Sequence, residues 1–321
     1  TVNAAISLRA HVQIEPRTDG RIRLESIDTH RTVEVAGWRD LAGSTELPLL
    51  SKLAYFFRAE NLTMTTRGES PAGAGIAGSS ALNVAVCGAL ARWANMNLEP
   101  EALLTIAMNV EAQVINVPTG VQDYRPACYG GVASIELRAD GIKRVPLPVS
   151  PVELERRVVL AYTGAPRNSG TNNWEITKRH IDGDRHVFDC FERIIAATGA
   201  LRRALERSDW DEAARQIQLE WTARKLLAPG VTTPAIDAMI SRAAAAGASA
   251  AKVCGAGGGG CLFCMTEPGK VAAVRQALSE SGARLLDYHV ETEGLRYGKP
   301  GDRADLLGDR GSARDQGREP V

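Results

Sequence analysis

Apolar and polar residues alternate through residues 5–15, the period of a half-buried strand. The alternation resumes over Ile22–Ile27, and Thr18-Asp19-Gly20 between the two runs carries turn chemistry, so a hairpin is predicted. Thr32–Val35 predicts a third strand, residues 47–58 a helix, and 62–66 a strand that leads into a glycine-rich loop. After that loop Leu82, Val86, Leu90 and Trp93 recur at helical spacing. A second helix is predicted over 101–115, ending before Pro118, followed by the loop 119–123 and a strand over 132–137.

The Pro-rich run Val145–Pro151 is the predicted boundary between an N-terminal domain, 1–150, and a C-terminal domain, 151–297. Beyond it the pattern predicts a strand at 157–162, helices at 183–207, 210–227 and 233–247, and strand–loop–strand over 250–265. A helix at 269–282 and a last strand at 285–292 complete the order. Residues 298–321 are rich in Gly, Asp and Arg and poor in apolar side chains, and are expected to be disordered.

Composition narrows the function. Basic and acidic residues balance at 38 each and are scattered, which argues against a nucleic-acid or polybasic membrane surface. No apolar run approaches the length needed to span a bilayer, and no basic-then-apolar leader opens the chain. The six cysteines sit mostly within apolar stretches, pointing to buried thiols in a reducing cytoplasm. Cys261 and Cys264 form a Cys-x-x-Cys, but a strand puts the two side chains on opposite faces. The five histidines show no ligand spacing.

The chemistry lies in two glycine loops. Pro71-Ala-Gly-Ala-Gly-Ile-Ala-Gly-Ser-Ser80 runs straight into a helix, so Gly73, Ala74, Gly75, Ile76, Ala77 and Gly78 can turn backbone N–H groups and a helix N-terminus toward an anion. Its spacing is neither that of a Walker A loop nor that of a dinucleotide fingerprint. Ser79 and Ser80 either cap the helix or place a hydroxyl beside bound phosphates and Mg²⁺. Glu111 falls inside an apolar stripe, where it either snorkels at the edge or meets a cation. Asp123, in a loop, is a turn former or the carboxylate that receives a hydroxyl proton in phosphoryl transfer. The second loop, Gly255-Ala-Gly-Gly-Gly-Gly260, predicts close backbone packing against another loop or a ligand. The polar run Arg167–Asn173 either binds a polyol or is a solvated loop.

Together these motifs resemble the galactokinase–homoserine kinase–mevalonate kinase–phosphomevalonate kinase (GHMP) superfamily. Pro71–Ser80 is similar to its Pro-x-x-x-Gly-Leu-x-Ser-Ser loop with Ile76 for Leu, and Gly255–Cys261 matches its Gly-Ala-Gly-Gly-Gly-Gly-Cys run, with Cys254 where a hydroxyl residue commonly stands. The resemblance implies a two-domain α+β fold, with a ribosomal protein S5 domain 2-like first half and a ferredoxin-like second half. It implies ATP wrapped by Gly73–Gly78 and closed over by Gly255, Gly257 and Gly258, Mg²⁺ held by Ser79 (or Ser80) and Glu111, and Asp123 as the catalytic carboxylate. Val2–Leu8, Gly120–Tyr124 and Thr163–Gly170 look most like the heptose-7-phosphate kinase group, which implies a sugar or sugar-phosphate acceptor, phosphorylated at the anomeric hydroxyl. A monomer or homodimer is expected. The superfamily's first motif, an Arg-bearing strand followed by Gly-Gly-x-x-Asp, is expected just before Thr1 and is absent from the sequence. A non-catalytic sensor on the same fold, or a mevalonate-pathway kinase or decarboxylase, is the alternative.

Overall fold

The computed structural model describes residues 1–166 and 170–298. In chain order the elements are β1 (Val2–Ala4), β2 (Ala10–Pro16), β3 (Ile22–Ser26), β4 (Arg31–Val35), α1 (Pro48–Phe56), β5 (Leu62–Gly68), α2 (Gly78–Trp93), α3 (Pro100–Ile115), α4 (Tyr124–Tyr129), β6 (Val132–Arg138) and β7 (Gly141–Pro146). There follow α5 (Pro151–Glu155), β8 (Val158–Tyr162), α6 (Gly170–Ile181), α7 (Arg185–Glu206), α8 (Trp210–Lys225), α9 (Pro234–Ala245), β9 (Ala248–Val253), β10 (Cys261–Thr266), α10 (Val271–Glu280) and β11 (Arg284–Leu286).

Three sheets carry the fold. The first has the order β2-β5-β3-β4, which corrects the predicted hairpin: β5 lies between β2 and β3, antiparallel to one and parallel to the other. Burial explains the choice. Leu62 and Met64 of β5 and Ile22 and Leu24 of β3 are fully buried, so both strands take central places, whereas β2 is only half-buried and takes the edge. Helices α1, α2 and α3 close this core with Leu53, Val86, Leu90 and Leu104. The strand predicted over 5–15 is regular only from Ala10, where the ladder with β5 starts; before it Ile6 makes a lone bridge to Val290, and Val2–Ala4, ahead of the predicted run, pairs with β6.

The second sheet is β1-β6-β7, and the third is β11-β8-β10-β9. The third sheet has the 4-1-3-2 order of a split βαβ unit, in keeping with the ferredoxin-like expectation. One face, with Val159, Ala161, Val253, Leu262 and Cys264, packs on Trp221, α9 and α10. From the other face Ala250 and Met265 join Val132, Leu147 and Val149 of the first 150 residues and Leu205 and Ile217 of α7 and α8. Apolar packing is therefore continuous across the Pro-rich segment.

The elements not anticipated include α4, β7, α5 and α6. The strand predicted over 285–292 is regular only as β11. The chain beyond it returns to the first half, with Glu291 N–H donating to the Ala5 carbonyl at 2.9 Å and Leu295 N–H to that of Cys128 at 3.2 Å. Apart from Gly298, the tail expected to be disordered lies outside the described residues.

Candidate active site

The first glycine loop joins β5 to α2. Gly73, Gly75 and Ala77 have φ of 66°, 75° and 62°, the left-handed region that turns successive N–H groups to one side. Ala77 stands at the N-cap of α2 without a side-chain cap, and Gly78 begins the helix with no room for a Cβ, which would meet the Ser70 side chain at 2.8 Å. The first-turn N–H groups of α2 are thus open to a ligand rather than to a capping side chain. Within the loop Ala74 N–H donates to the Pro71 carbonyl at 3.0 Å.

Ser79 therefore does not cap. Its hydroxyl donates to Glu111 Oε1 at 2.8 Å, joining α2 to α3. Two further donors hold the other oxygen: Tyr124 OH at 2.6 Å and Asn83 Nδ2 at 3.2 Å. Glu111 is neither snorkelling nor bare, since three donors position its carboxylate. Asn83 also donates to the Ala107 carbonyl at 2.8 Å and is fully buried. Burial, followed by the Glu111 carboxylate, pushes the Tyr124 phenol well above its ordinary range, so it stays a donor; Ser80 lies beside the same hydroxyl. Asn83 and Tyr124 were not singled out in the sequence. The only hint was a polar residue one turn after Ser79 in an otherwise apolar helix stripe.

Asp123 immediately precedes α4. Its loop is pinned from several sides. Asn3 Nδ2 donates to the Gln122 carbonyl at 3.0 Å, and the fully buried Arg125 donates to the Val121 carbonyl at 2.7 Å and to Glu101 at 2.6 Å. A Cβ on Gly120 would lie 3.1 Å from Asp123 Oδ2 and 2.6 Å from Gln122 Nε2, so glycine there leaves the carboxylate its place.

The second glycine loop packs directly on the first. Cys261 N–H donates to the Ala74 carbonyl at 2.6 Å, and a Cβ on Gly260 would come within 2.6 Å of the same oxygen. Gly260 N–H reaches the Ala165 carbonyl at 2.8 Å and Gly258 N–H that of Val231 at 2.9 Å. The loop thus meets three separate segments through backbone alone, as close packing required.

A cavity of about 1890 Å³ is lined by residues in or next to both glycine loops and by Asp123. Gly75, Ile76, Ala77, Asp123, Cys254 and Gly255 are among its lining, and Val12, Ile14, Leu160 and Phe263 make part of its wall apolar. Of the run Arg167–Asn173, residues 167–169 lie outside the described residues. For a magnesium ion the donor set fits: Ser79 and Glu111 offer a hydroxyl and a carboxylate within hydrogen-bonding distance at the N-terminus of α2, the sparse oxygen set that Mg²⁺ shares with phosphates.

Comparison with known proteins agrees with this architecture. The chain is 28% identical over 307 residues to a D-glycero-alpha-D-manno-heptose 7-phosphate kinase of Campylobacter jejuni, covering 92% of this chain and 89% of that protein. It is 26% identical over 316 residues to a mevalonate kinase of Thermococcus sibiricus, covering 92% and 91%. The crystal structure of Lactococcus lactis galactokinase complexed with galactose superposes with a TM-score of 0.77 at 16% identity, over 91% of this chain and 88% of that one, a likeness of fold. The GHMP kinases N terminal domain matches residues 48–131 and the GHMP kinases C terminal model residues 201–284. The first glycine loop, Glu111 and Asp123 fall within the first of these matches and the second glycine loop within the other, and the chain belongs to the GHMP kinases, ATP-dependent phosphotransferases.

Proposed function

We propose that the protein transfers the γ-phosphoryl group of ATP to a hydroxyl of a sugar phosphate, of the heptose 7-phosphate class, at the anomeric position. The observation that carries this reading is one cavity lined by Gly75–Ala77 of the first glycine loop, Asp123 and Gly255, with the hydrogen-bonded Ser79–Glu111 pair at the helix start that follows the loop. Likeness to the Campylobacter heptose 7-phosphate kinase favours a sugar phosphate over mevalonate as acceptor.

In this mechanism the loop N–H groups and the α2 N-terminus neutralise the phosphates and set the γ-phosphorus in line with the attacking oxygen. Ser79 and Glu111 would hold Mg²⁺, which would supply charge neutralisation at the transferring phosphoryl. The three donors on Glu111 fix that carboxylate before any ligand arrives. Asp123 orients the acceptor hydroxyl and takes its proton as the bond to phosphorus forms. The Gly255–Gly260 loop excludes water from the second half's side of the site. No helix among the described residues is long and apolar enough to cross a membrane, which is in keeping with a cytoplasmic enzyme.

The test is ADP release from ATP with heptose 7-phosphate, unphosphorylated heptose, galactose and mevalonate as acceptors. Heptose 7-phosphate is expected to give the highest kcat/KM. A preference for mevalonate refutes the sugar reading, and ATP binding without acceptor-dependent ADP release from any of them identifies a sensor.

A further inference from the structure

We propose that Cys254 and Cys261 form a reversible thiol–disulfide site at the neck of the second glycine loop. The ladder of β9 with β10 pairs Val253 with Leu262, and one step further Cys254 N–H donates to the Cys261 carbonyl at 2.8 Å. The two cysteines are therefore the last cross-strand pair before the six-residue loop 255–260. Directly opposed residues point their side chains to the same face, with Cα atoms about 4.5–5.5 Å apart, a range within that of a disulfide; here Cys254 N–H makes one ladder bond, while Cys261 N–H turns to Ala74. Neither residue is in a disulfide in this structure.

Position separates this pair from the remaining thiols: Cys254 and Cys261 pack in one cluster. Cys254 is half-exposed in the cavity wall, and Cys261 is buried behind it. Cys264 lies on the opposite face of β10, packed with Trp221, and burial pushes its thiol up to about 12. Cys87, Cys128 and Cys190 lie on the separate helices α2, α4 and α7.

A low-molecular-weight disulfide such as oxidised glutathione is the co-reactant. The Cys254 thiolate attacks one of its sulfurs, forming a mixed disulfide and releasing one glutathione thiolate. The Cys261 thiolate then attacks the Cys254 sulfur, releasing the second glutathione. The protein dithiol is oxidised by two electrons, one glutathione disulfide is reduced to two thiols, and these thiols take the two protons. The bond closes the loop into a ring at the residue whose N–H holds Ala74, so strain at Cys261 acts on the contact between the two glycine loops.

The full chain is incubated with oxidised glutathione, quenched by alkylation and mapped by mass spectrometry. The expected product has lost two hydrogens, links the Cys254 and Cys261 peptides, and reverts with dithiothreitol. Cys254→Ser prevents the link, and Cys261→Ser stops at a stable glutathione adduct on Cys254. A wild-type protein that carries only the adduct, no modification, or a link to another cysteine overturns the site. The effect on turnover rests on the kinase reading: ADP release by the wild type falls roughly tenfold on oxidation and returns on reduction, while that of Cys254→Ser does not respond. A cross-linked protein of unchanged rate refutes control of the site. Absence of ADP release from reduced and oxidised protein alike counts against the kinase reading, with the peptide map still deciding the cross-link.

Discussion

Replacing Gly260 with alanine tests whether backbone contact between the two glycine loops builds the site. Gly260 has φ of +80°, and its added methyl would sit 2.6 Å from the Ala74 carbonyl oxygen, 2.9 Å from the Ala74 carbonyl carbon and 3.0 Å from the Gly73 oxygen. All three are backbone atoms, so no side-chain rotation relieves the clash. Restoring an ordinary 3.4 Å contact parts the loops by roughly 0.8 Å. The 2.6 Å hydrogen bond from Cys261 N–H to Ala74 then stretches past its useful length. A left-handed conformation costs a non-glycine residue about 1–2 kcal/mol, and the lost hydrogen bond adds about 1 kcal/mol. Gly260→Ala is thus expected to lose about 2–3 kcal/mol of stability and, because it displaces the phosphate loop, about 100-fold in kcat/KM. Thermal unfolding and steady-state ADP release measure the two. Gly269→Ala, with nothing within 4 Å of its added methyl, is the control and should change neither. A Gly260→Ala protein with wild-type Tm and a turnover within about threefold of wild type refutes the reasoning.

Asp123→Asn should lower turnover by about 10²- to 10⁴-fold while nucleotide-analogue affinity stays near wild type; a retained rate removes Asp123 from proton transfer. Glu111→Gln keeps a partner for the Asn83 and Tyr124 donors but removes the charge, so the Mg²⁺ concentration at half-maximal rate should rise about 10- to 100-fold with little change in Tm. An unchanged Mg²⁺ dependence makes Glu111 a purely structural link between α2 and α3. Burial works to raise the Glu220 carboxyl, but Lys252 and Arg224 outweigh it and hold it below the ordinary carboxylate range. Its folded pKa being depressed, this stabilisation is complete above the unfolded value of about 4.3 and disappears as pH falls through the folded one. Acid unfolding of Glu220→Gln should therefore show a flatter loss of stability below pH 4 than the wild type; identical acid limbs refute the pairing as a pH-dependent contribution.

What the sequence revealed follows the range of the interactions involved. The helices α2 and α3 and both glycine loops were legible because periodicity and glycine spacing are local properties. The partner of β2 was not, since a strong turn signal at Thr18–Gly20 says nothing of β5, which joins from more than 40 residues later and brings the better-buried face. Helix α4 was missed because six residues are too few for a period to emerge. The same limit governs the site. Ser79, Glu111 and Asp123 stood out by type and context, whereas Asn83 and Tyr124 acquire meaning only when α2, α3 and α4 converge on one carboxylate.

The glycines of the two loops answer different demands, which bears on how the site comes into being. Gly73 and Gly75 supply left-handed backbone so that N–H groups can face an anion. Gly258, Gly259 and Gly260 are instead hemmed in by protein: a Cβ would come within 3.0 Å of the Gly230 oxygen, 2.8 Å of the Ala165 oxygen and 2.6 Å of the Ala74 oxygen respectively. The second loop is therefore the point where the turn before α9, the strand end after β8 and the phosphate loop are fastened together by main chain. Side-chain substitution elsewhere cannot replace those contacts, because each depends on an absent Cβ. The conformational entropy of so many glycines opposes folding, so the loop orders only where all three segments are already in place. The shape of the Gly73–Gly78 loop, the phosphate cradle of the proposed function, therefore depends on main-chain contact with the second half.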